Sequence, residues 1–343
     1  MSADRARTAI YEAPPNIALI KYWGMRDVDR GLPCNASLSV TLERLRSRTS
    51  VRFDAALRED LVELNGAPAA EGARQSVVRF LDRVREMADL NLRASVRSEN
   101  NFPTASGLAS SASGFAALAG AACAAAGLRP TGRALSQLAR YGSGSASRSI
   151  FGGFVEWRAG AKPDGSDCYA RSLYPADHWP DLVDEVVLVE GAPVKEVRSE
   201  VAMQWSVRTS PGYSRRLAEI PRRLERMRRA IGARDAGALF PVVMEECDSF
   251  REVCETTRPA LDYLTSTSRA ILGEVHAINR EAGRPLAAYT HDAGAHVHVF
   301  TLARHAPGVR RRLARIPGVR EILRVRPGPG ARRARPGPTG PGA

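Results

Sequence analysis

The residues with chemistry to offer sit in a few short segments. Residues 100–114 read NNFPTASGLASSASG. Small side chains there let backbone N–H groups approach an anion closely, and the helical run that follows adds the favourable partial charge of its N-terminus. Ser106, Ser110 and Ser111 contribute hydroxyls suited to phosphate oxygens or to Mg²⁺. On local pattern alone, the segment reads equally well as a serine-capped helix entrance packed on a sheet. Asp292 opens a tight Asp292-Ala293-Gly294 turn between two β-rich stretches, where it is either a general base or an ordinary turn residue. Of 50 Lys and Arg residues only three are lysine, Lys21, Lys162 and Lys195. Arginine replaces lysine freely on a surface, so each remaining lysine points to a need for a compact ammonium. His296 and His298 share one face of an expected strand. They form either a metal pair or, since no further Cys or His cluster accompanies them, satisfied packing histidines.

The elements that must position these groups are of mixed type. Alternating or β-rich patterns cover Thr8 to Ala13, Ile17 to Trp23, Leu38 to Leu42, Thr49 to Phe53 and Leu92 to Ser98, with further strands at Phe154 to Trp157 and Val186 to Val189. Helical spacing covers Ala73 to Met87 and the run from Ser106, where Leu108, Ala112, Phe115 and Ala119 fall on one face. The second half turns helical over Pro211 to Ile231, Ala236 to Cys254 and Leu261 to Ala282. Strands at Ala287 to Thr290 and Val297 to Leu302 then flank the Asp292 turn. Strands first and helices later, without βαβ alternation, predict an α+β fold. Neither GxxxxGK[ST] nor GxGxxG occurs, so nucleotide binding would need another device.

Composition narrows the function further. A chain of 343 residues that is 44% hydrophobic can bury a sizeable core. No apolar run approaches the roughly 20 residues that span a bilayer, and the N-terminus lacks a secretory apolar core. The expectation is a cytoplasmic protein with no membrane partner. Five cysteines without CxxC spacing argue against a disulfide framework or a zinc site. The net charge of +13 is concentrated at the end of the chain, where residues 301–343 hold eleven arginines, no lysine and one acid, Glu321. The near-neutral remainder offers no phosphate-tracking surface, which argues against nucleic acid as a partner. Residues 327–343, rich in Pro, Gly and Arg, are expected to be a disordered tail.

PTASGLASSASG resembles the phosphate loop of the GHMP kinase superfamily. More narrowly, APPNIALIKYWG at Ala13 to Gly24, NASLSVTL at Asn35 to Leu42 and ENNFPTASGLASSASGFAAL at Glu99 to Leu118 resemble the mevalonate diphosphate decarboxylase family. So do RYGSGSASRSIFGGFVEW at Arg140 to Trp157 and YTHDAGAHV at Tyr289 to Val297. The blocks follow the family's order across nearly the whole chain except the tail. The resemblance implies a GHMP kinase fold, with a nucleotide-binding N-terminal domain over 1–185, a helix-rich α/β C-terminal domain over 186–326, and a cleft between them. It implies ATP and Mg²⁺, a small phosphorylated 3-hydroxy acid as substrate, and a place in the mevalonate route to isoprenoids. Homodimers are frequent in that family. The implied catalytic residues are Asp292, Lys21 and Arg148, with Arg148 engaging the substrate carboxylate through its planar fork. Asn16, Tyr22, Arg74, Ser143 and Ser145 are the implied substrate-binding residues. Pro103, Ser106, Gly107, Leu108, Ala109, Ser110 and Ser111 are the implied phosphate-binding ones.

Two positions depart from the family pattern. After KYWG the family generally carries a lysine, where this chain has Met25, and after DAG it generally carries Pro-Asn, where this chain has Ala295-His296. Met25 removes a positive charge from the expected neighbourhood of the diphosphate. Mevalonate 5-phosphate, with less charge to neutralise, is therefore an alternative substrate. Arg26 would compensate only if it faced the same way as its neighbour, and adjacent strand residues point oppositely. A 3-hydroxy-acid kinase without decarboxylation, a decarboxylase of another pathway and a binding protein that keeps the fold are the remaining readings.

Overall fold

The structure, a computed structural model, describes residues 7–102, 110–192 and 197–335. Pro103, Ser106, Gly107, Leu108 and Ala109 lie outside the described residues. Three sheets carry the fold. The first runs Arg332–Arg333, Arg7–Ala13, Ser47–Asp54, Arg93–Asn100, Leu61–Leu64, Ala67–Pro68, antiparallel except where Leu61–Leu64 lies parallel to Arg93–Asn100. Ser47–Asp54 alternates buried and part-exposed residues, the period-2 signature of a strand with one face on a core. That face packs on the helices Glu71–Ala88 and Ser110–Ala125, with Val51, Phe53, Phe80, Leu81 and Val96 at the centre. Fully burying each such side chain is worth roughly 1.5–3 kcal/mol.

The helix Ser110–Ala125 is buried over most of its length because its residues are so small. At Gly120 an added Cβ would stand 2.2 Å from the Tyr11 ring, so only glycine allows the helix to lie this close to the Arg7–Ala13 strand. Close seating fixes the helix N-terminus, and with it Ser110 and Ser111, relative to the sheet.

The second sheet, in the order Ala170–Tyr174, Phe154–Trp157, Ser37–Thr41, Asn16–Ile20, is antiparallel throughout, as is the third, Ala287–Thr290, Val297–Leu302, Leu182–Val189, Val319–Val325. One core joins them: Ile17, Leu19 and Leu38 of the second sheet meet Val186 and Phe300 of the third and Ile220, Leu224 and Phe240 of the helices Tyr213–Ala233 and Ala236–Thr256. The helices Ser266–Glu281 and Ala306–Leu313 cover the third sheet elsewhere.

The mixed elements agree with the expected α+β fold. Leu182–Val189 runs across the expected division after residue 185 and belongs whole to the third sheet. Asp184 and Glu185 hide the first half of this strand from its apolar pattern, yet both are buried and paired, Asp184 with His298 and Glu185 with Arg310 and Arg324. The expected disordered tail is ordered over residues 327–335. Arg332–Arg333 pairs with Tyr11 and Glu12, Gly328 N donates to Thr41 O at 2.8 Å, and Gly153 N donates to Gly328 O at 2.9 Å. These bonds are main-chain bonds, which need no apolar side chain to form.

Candidate active site

Lys21 follows directly on the strand Asn16–Ile20, and its side chain is 3% exposed. An ammonium so deeply placed requires partners. Nζ donates to Ala18 O at 2.7 Å and to Asp292 Oδ1 at 2.8 Å, and lies 6.0 Å from the centre of the Phe250 ring. Asp292 is delivered from the other half of the chain, in the turn between the strands Ala287–Thr290 and Val297–Leu302, with Gly294 N closing on Asp292 O at 2.8 Å. Burial raises the carboxyl's pKa, but the charge and hydrogen bond of Lys21, helped by Arg148, outweigh burial and hold it below the ordinary carboxylate value. Asp292 is thus ionised at neutral pH and keeps 29% of its side chain exposed toward a cleft.

That cleft, of about 680 Å³, is lined by Lys21, Tyr22, Ser143, Ser145, Arg148 and Asp292 among others. Arg148 lies in the short helix Ala146–Ser149; its Nε donates to Asn16 Oδ1 at 3.1 Å and its Nη1 to Ser37 Oγ at 2.6 Å. Two bonds lock the plane of the fork and leave Nη2 without a hydrogen bond among the described residues. Burial draws the Arg148 pKa down to about 10, partly offset by the charge of Asp292, so it remains a cation at neutral pH. Ser143 Oγ lies 3.1 Å from Ser145 Oγ and 3.4 Å from Ser111 Oγ, which links the turn before Ala146–Ser149 to the helix N-terminus. Tyr22 stands edge-on to Trp157 at 4.9 Å between ring centres, and its hydroxyl pKa is pushed upward, chiefly by burial.

A second cavity, of about 580 Å³, opens on the other side of Ser110 and Ser111 and is shared with Asn65, Ser98, Gly114 and Phe115. The two serine positions, with Ser76, Phe115 and Arg198, border both cavities.

Two expected substrate residues do not face the cleft. Asn16 is buried, donating to Ser149 Oγ at 2.7 Å and to Ser145 O at 3.2 Å while accepting from Arg148. It is a brace for the arginine. Arg74 lies on the helix Glu71–Ala88, paired at 2.9 Å with Glu71 one turn back on an exposed face. Its position four residues into that helix accounts for the difference, since i and i+3 residues meet on a helix surface. Met25 borders the cleft but is buried among Trp23, Met203 and Tyr213, and Arg26 turns away to the carbonyls of Ala159 and Lys162, each at 3.3 Å. His298 Nδ1 pairs with Asp184 at 2.6 Å, and His296 Nδ1 accepts from Val189 N at 3.2 Å.

Sequence reasoning missed Ser37, Glu246 and Arg216. Ser37 stands within the quoted NASLSVTL block, so the motif contained it without assigning it a partner. Glu246 and Arg216 lie on helices, with only their burial to mark them. Among the described residues no group of three or more His, Cys, Asp or Glu could hold a metal ion. Hydroxyl oxygens at Ser110 and Ser111 are hard donors beside both cavities, and such donors suit a Mg²⁺ that keeps most of its bonds to phosphate and water.

Residues 13–170 match the family model described as the diphosphomevalonate decarboxylase-like N-terminal domain, and residues 185–323 match the mevalonate 5-diphosphate decarboxylase C-terminal domain. A diphosphomevalonate decarboxylase from Gibberella zeae is 42% identical over 315 residues, covering 88% of this chain and 82% of the relative. A solved mevalonate diphosphate decarboxylase from Enterococcus faecalis superposes with a TM-score of 0.88 at 34% identity, covering 96% of this chain and 99% of that one. A structure described as MDDEF in complex with MVAPP, AMPPCP and magnesium superposes with a TM-score of 0.89 at 35% identity, over 96% and 99% of the two chains.

Proposed function

The chain belongs to the diphosphomevalonate decarboxylase family, and from that premise we propose that it converts mevalonate 5-diphosphate and ATP into isopentenyl diphosphate, CO₂, ADP and phosphate. The observation that carries this reading is the ionised Asp292, held by Lys21 at the wall of a cleft that Arg148 also borders.

The substrate's 3-hydroxyl lies against Asp292. Its proton passes to the carboxylate as the oxygen attacks the γ-phosphorus and the bond to the ADP oxygen breaks. A carboxylate with a lowered pKa is a weak base, but phosphoryl transfer has a loose transition state in which the hydroxyl proton leaves late, so orientation matters more than basicity. Lys21 neutralises the charge that would repel the incoming phosphoryl group. Arg148 receives the substrate carboxylate on its free Nη2. In the second stage the 3-phosphate departs with its bonding pair, the C–C bond to the carboxylate supplies the electrons of the new double bond, and CO₂ leaves. Ser143, Ser145 and Tyr22 contact the substrate, and Ser110 and Ser111, with the preceding loop, receive the nucleotide phosphates. Mg²⁺, bound with the nucleotide and reached by a serine hydroxyl, would supply charge neutralisation to the phosphates.

The test is product analysis with the purified protein. ADP and CO₂ released in a one-to-one ratio support the reading; ADP without CO₂ would replace it with a kinase.

A second substrate, mevalonate 5-phosphate, is favoured by a specific observation. Among the described residues the cleft's other cations have partners: Arg140 donates to the carbonyls of Arg30, Gly165 and Cys168, and Arg198 pairs with Glu200 at 3.0 Å. With Met25 apolar, less cationic capacity faces a terminal phosphate. Comparing kcat/KM for the two phosphates decides, and a strong preference for the diphosphate ends the second reading.

A further inference from the structure

The strand Asn16–Ile20 is an edge of its sheet, so one side of its backbone lacks a neighbouring strand. At Lys21, just beyond its end, side chains take over that role. Lys21 N donates to Glu246 Oε1 at 3.1 Å, and Lys21 O accepts from Arg216 Nη2 at 3.1 Å. The same Arg216 nitrogen also donates to Glu246 Oε1, which closes a ring through the backbone of one residue, one carboxylate and one guanidinium. Asn35 Nδ2 adds a donor to the Lys21 carbonyl at 3.0 Å. Arg216 comes from the helix Tyr213–Ala233 and Glu246 from the helix Ala236–Thr256, and they are 1% and 0% exposed.

A buried ion pair is a poor stabiliser, since apolar side chains of similar size often pack as well. Its use here on the N–H and C=O of a single lysine calls for another reason. Resting on the role proposed above for Lys21, we propose that Arg216 and Glu246 are positioning residues. They hold the Lys21 backbone so that Nζ, at the far end of a long side chain, meets Asp292. The two helices of the C-terminal half thereby set the geometry of a lysine that the N-terminal half supplies.

Arg223 provides the control. It is also buried and also binds Glu246, through Oε2 at 3.1 Å, with further bonds to Glu245 and Glu219, but it makes no hydrogen bond to Lys21 among the described residues. Arg216→Met and Arg223→Met each remove one buried guanidinium from the same carboxylate. Both are expected to lower Tm, while only R216M lowers kcat, by at least about tenfold with KM changed less than about threefold. R223M keeps kcat within about twofold of wild type. Arg216→Lys, which retains charge and a donor, recovers part of kcat and serves if R216M does not fold. Crystal structures of the variants give a readout independent of turnover: Lys21 Nζ leaves Asp292 in R216M and stays in contact in R223M. Equal kcat losses that track Tm, or a Lys21–Asp292 contact unaltered in R216M, overturn the proposal. A wild-type protein that releases no CO₂ refutes the functional reading instead, and the structural comparison still decides the positioning role.

Discussion

Asp292 and Lys21 depend on each other, and their coupling can be measured. Because Lys21 is the main reason the Asp292 pKa lies below its ordinary value, Lys21→Met removes that support and leaves burial to push the pKa upward. If turnover needs the ionised carboxylate, the acid limb of the kcat–pH profile moves to higher pH in K21M, whereas wild type shows no such limb until the pH is below the ordinary carboxylate range. Asp292→Asn keeps the shape but, on the proposed mechanism, removes the proton acceptor, so kcat should fall by roughly 10²–10⁴-fold, the usual span for a general acid–base group, with KM little changed. The expectations at Lys21, Arg148 and Asp292 came from type, scarcity and motif, and the three residues line one cleft. At Asn16 the motif records that a residue is needed and not which way it points. Here it points at Arg148 and Ser149. Glu246 and Arg216 left no trace in sequence, since a charged residue on a helix normally reads as solvated surface, and only the packing of two helices on Lys21 buries them.

Elements place these side chains through close approach. The turn carrying Ser143 and Ser145 passes so near Tyr22 that a Cβ on Gly144 would lie 2.6 Å from a ring carbon and 2.8 Å from the hydroxyl. Gly144→Ala must therefore displace the ring from Trp157 or open the turn. Overpacking of this kind costs about 1–3 kcal/mol, and kcat/KM should fall at least tenfold as both serines shift, as judged by denaturant titration beside steady-state kinetics. An unaltered kcat/KM would mean that the serines are not held by this contact. Periodicity made most elements legible, within a few residues at their ends. The helix expected from Leu261 begins at Ser266 because Thr265 and Ser268 form a reciprocal capping box, a local signal stronger than the apolar spacing upstream of it. The small helix Ser199–Thr209 was not foreseen, since only Ala202, Met203 and Ser206 bury a face and the apolar stripe is too sparse to announce it.

At the scale of the whole molecule, acid should be felt through two histidines before the carboxylates matter. Burial is the first cause for both, with Lys21 adding to it at His291 and His298 at His296, and each pKa is lowered to about 4. Above the unfolded value near 6.5, both states are neutral and nothing is lost; between about 6.5 and 4 only the unfolded chain takes up these protons, so stability declines across that window. Urea midpoints measured from pH 7.5 to 4.5 should fall, and His296→Asn should flatten part of the slope. The C-terminal segment tests a different kind of integration. Its composition promised disorder, yet residues 327–335 tie the Leu42 and Gly153 regions to the outer edge of the first sheet: Leu42 bridges Pro327, Ala331 N reaches Ser149 O at 3.1 Å, and Ala334 N reaches Ile10 O at 2.9 Å. Ser149 also accepts from Asn16, which braces Arg148, so the strap touches the support of the cleft. Truncation after Arg326 removes these main-chain bonds, each worth about 0.5–1.5 kcal/mol net, and uncovers a strand edge. A loss of a few kcal/mol by urea titration is expected, together with a rise in KM larger than the fall in kcat, because Arg148, proposed to hold the substrate carboxylate, loosens while Lys21 and Asp292 keep their own supports. A truncated chain with wild-type stability and kinetics would show that the strap holds nothing.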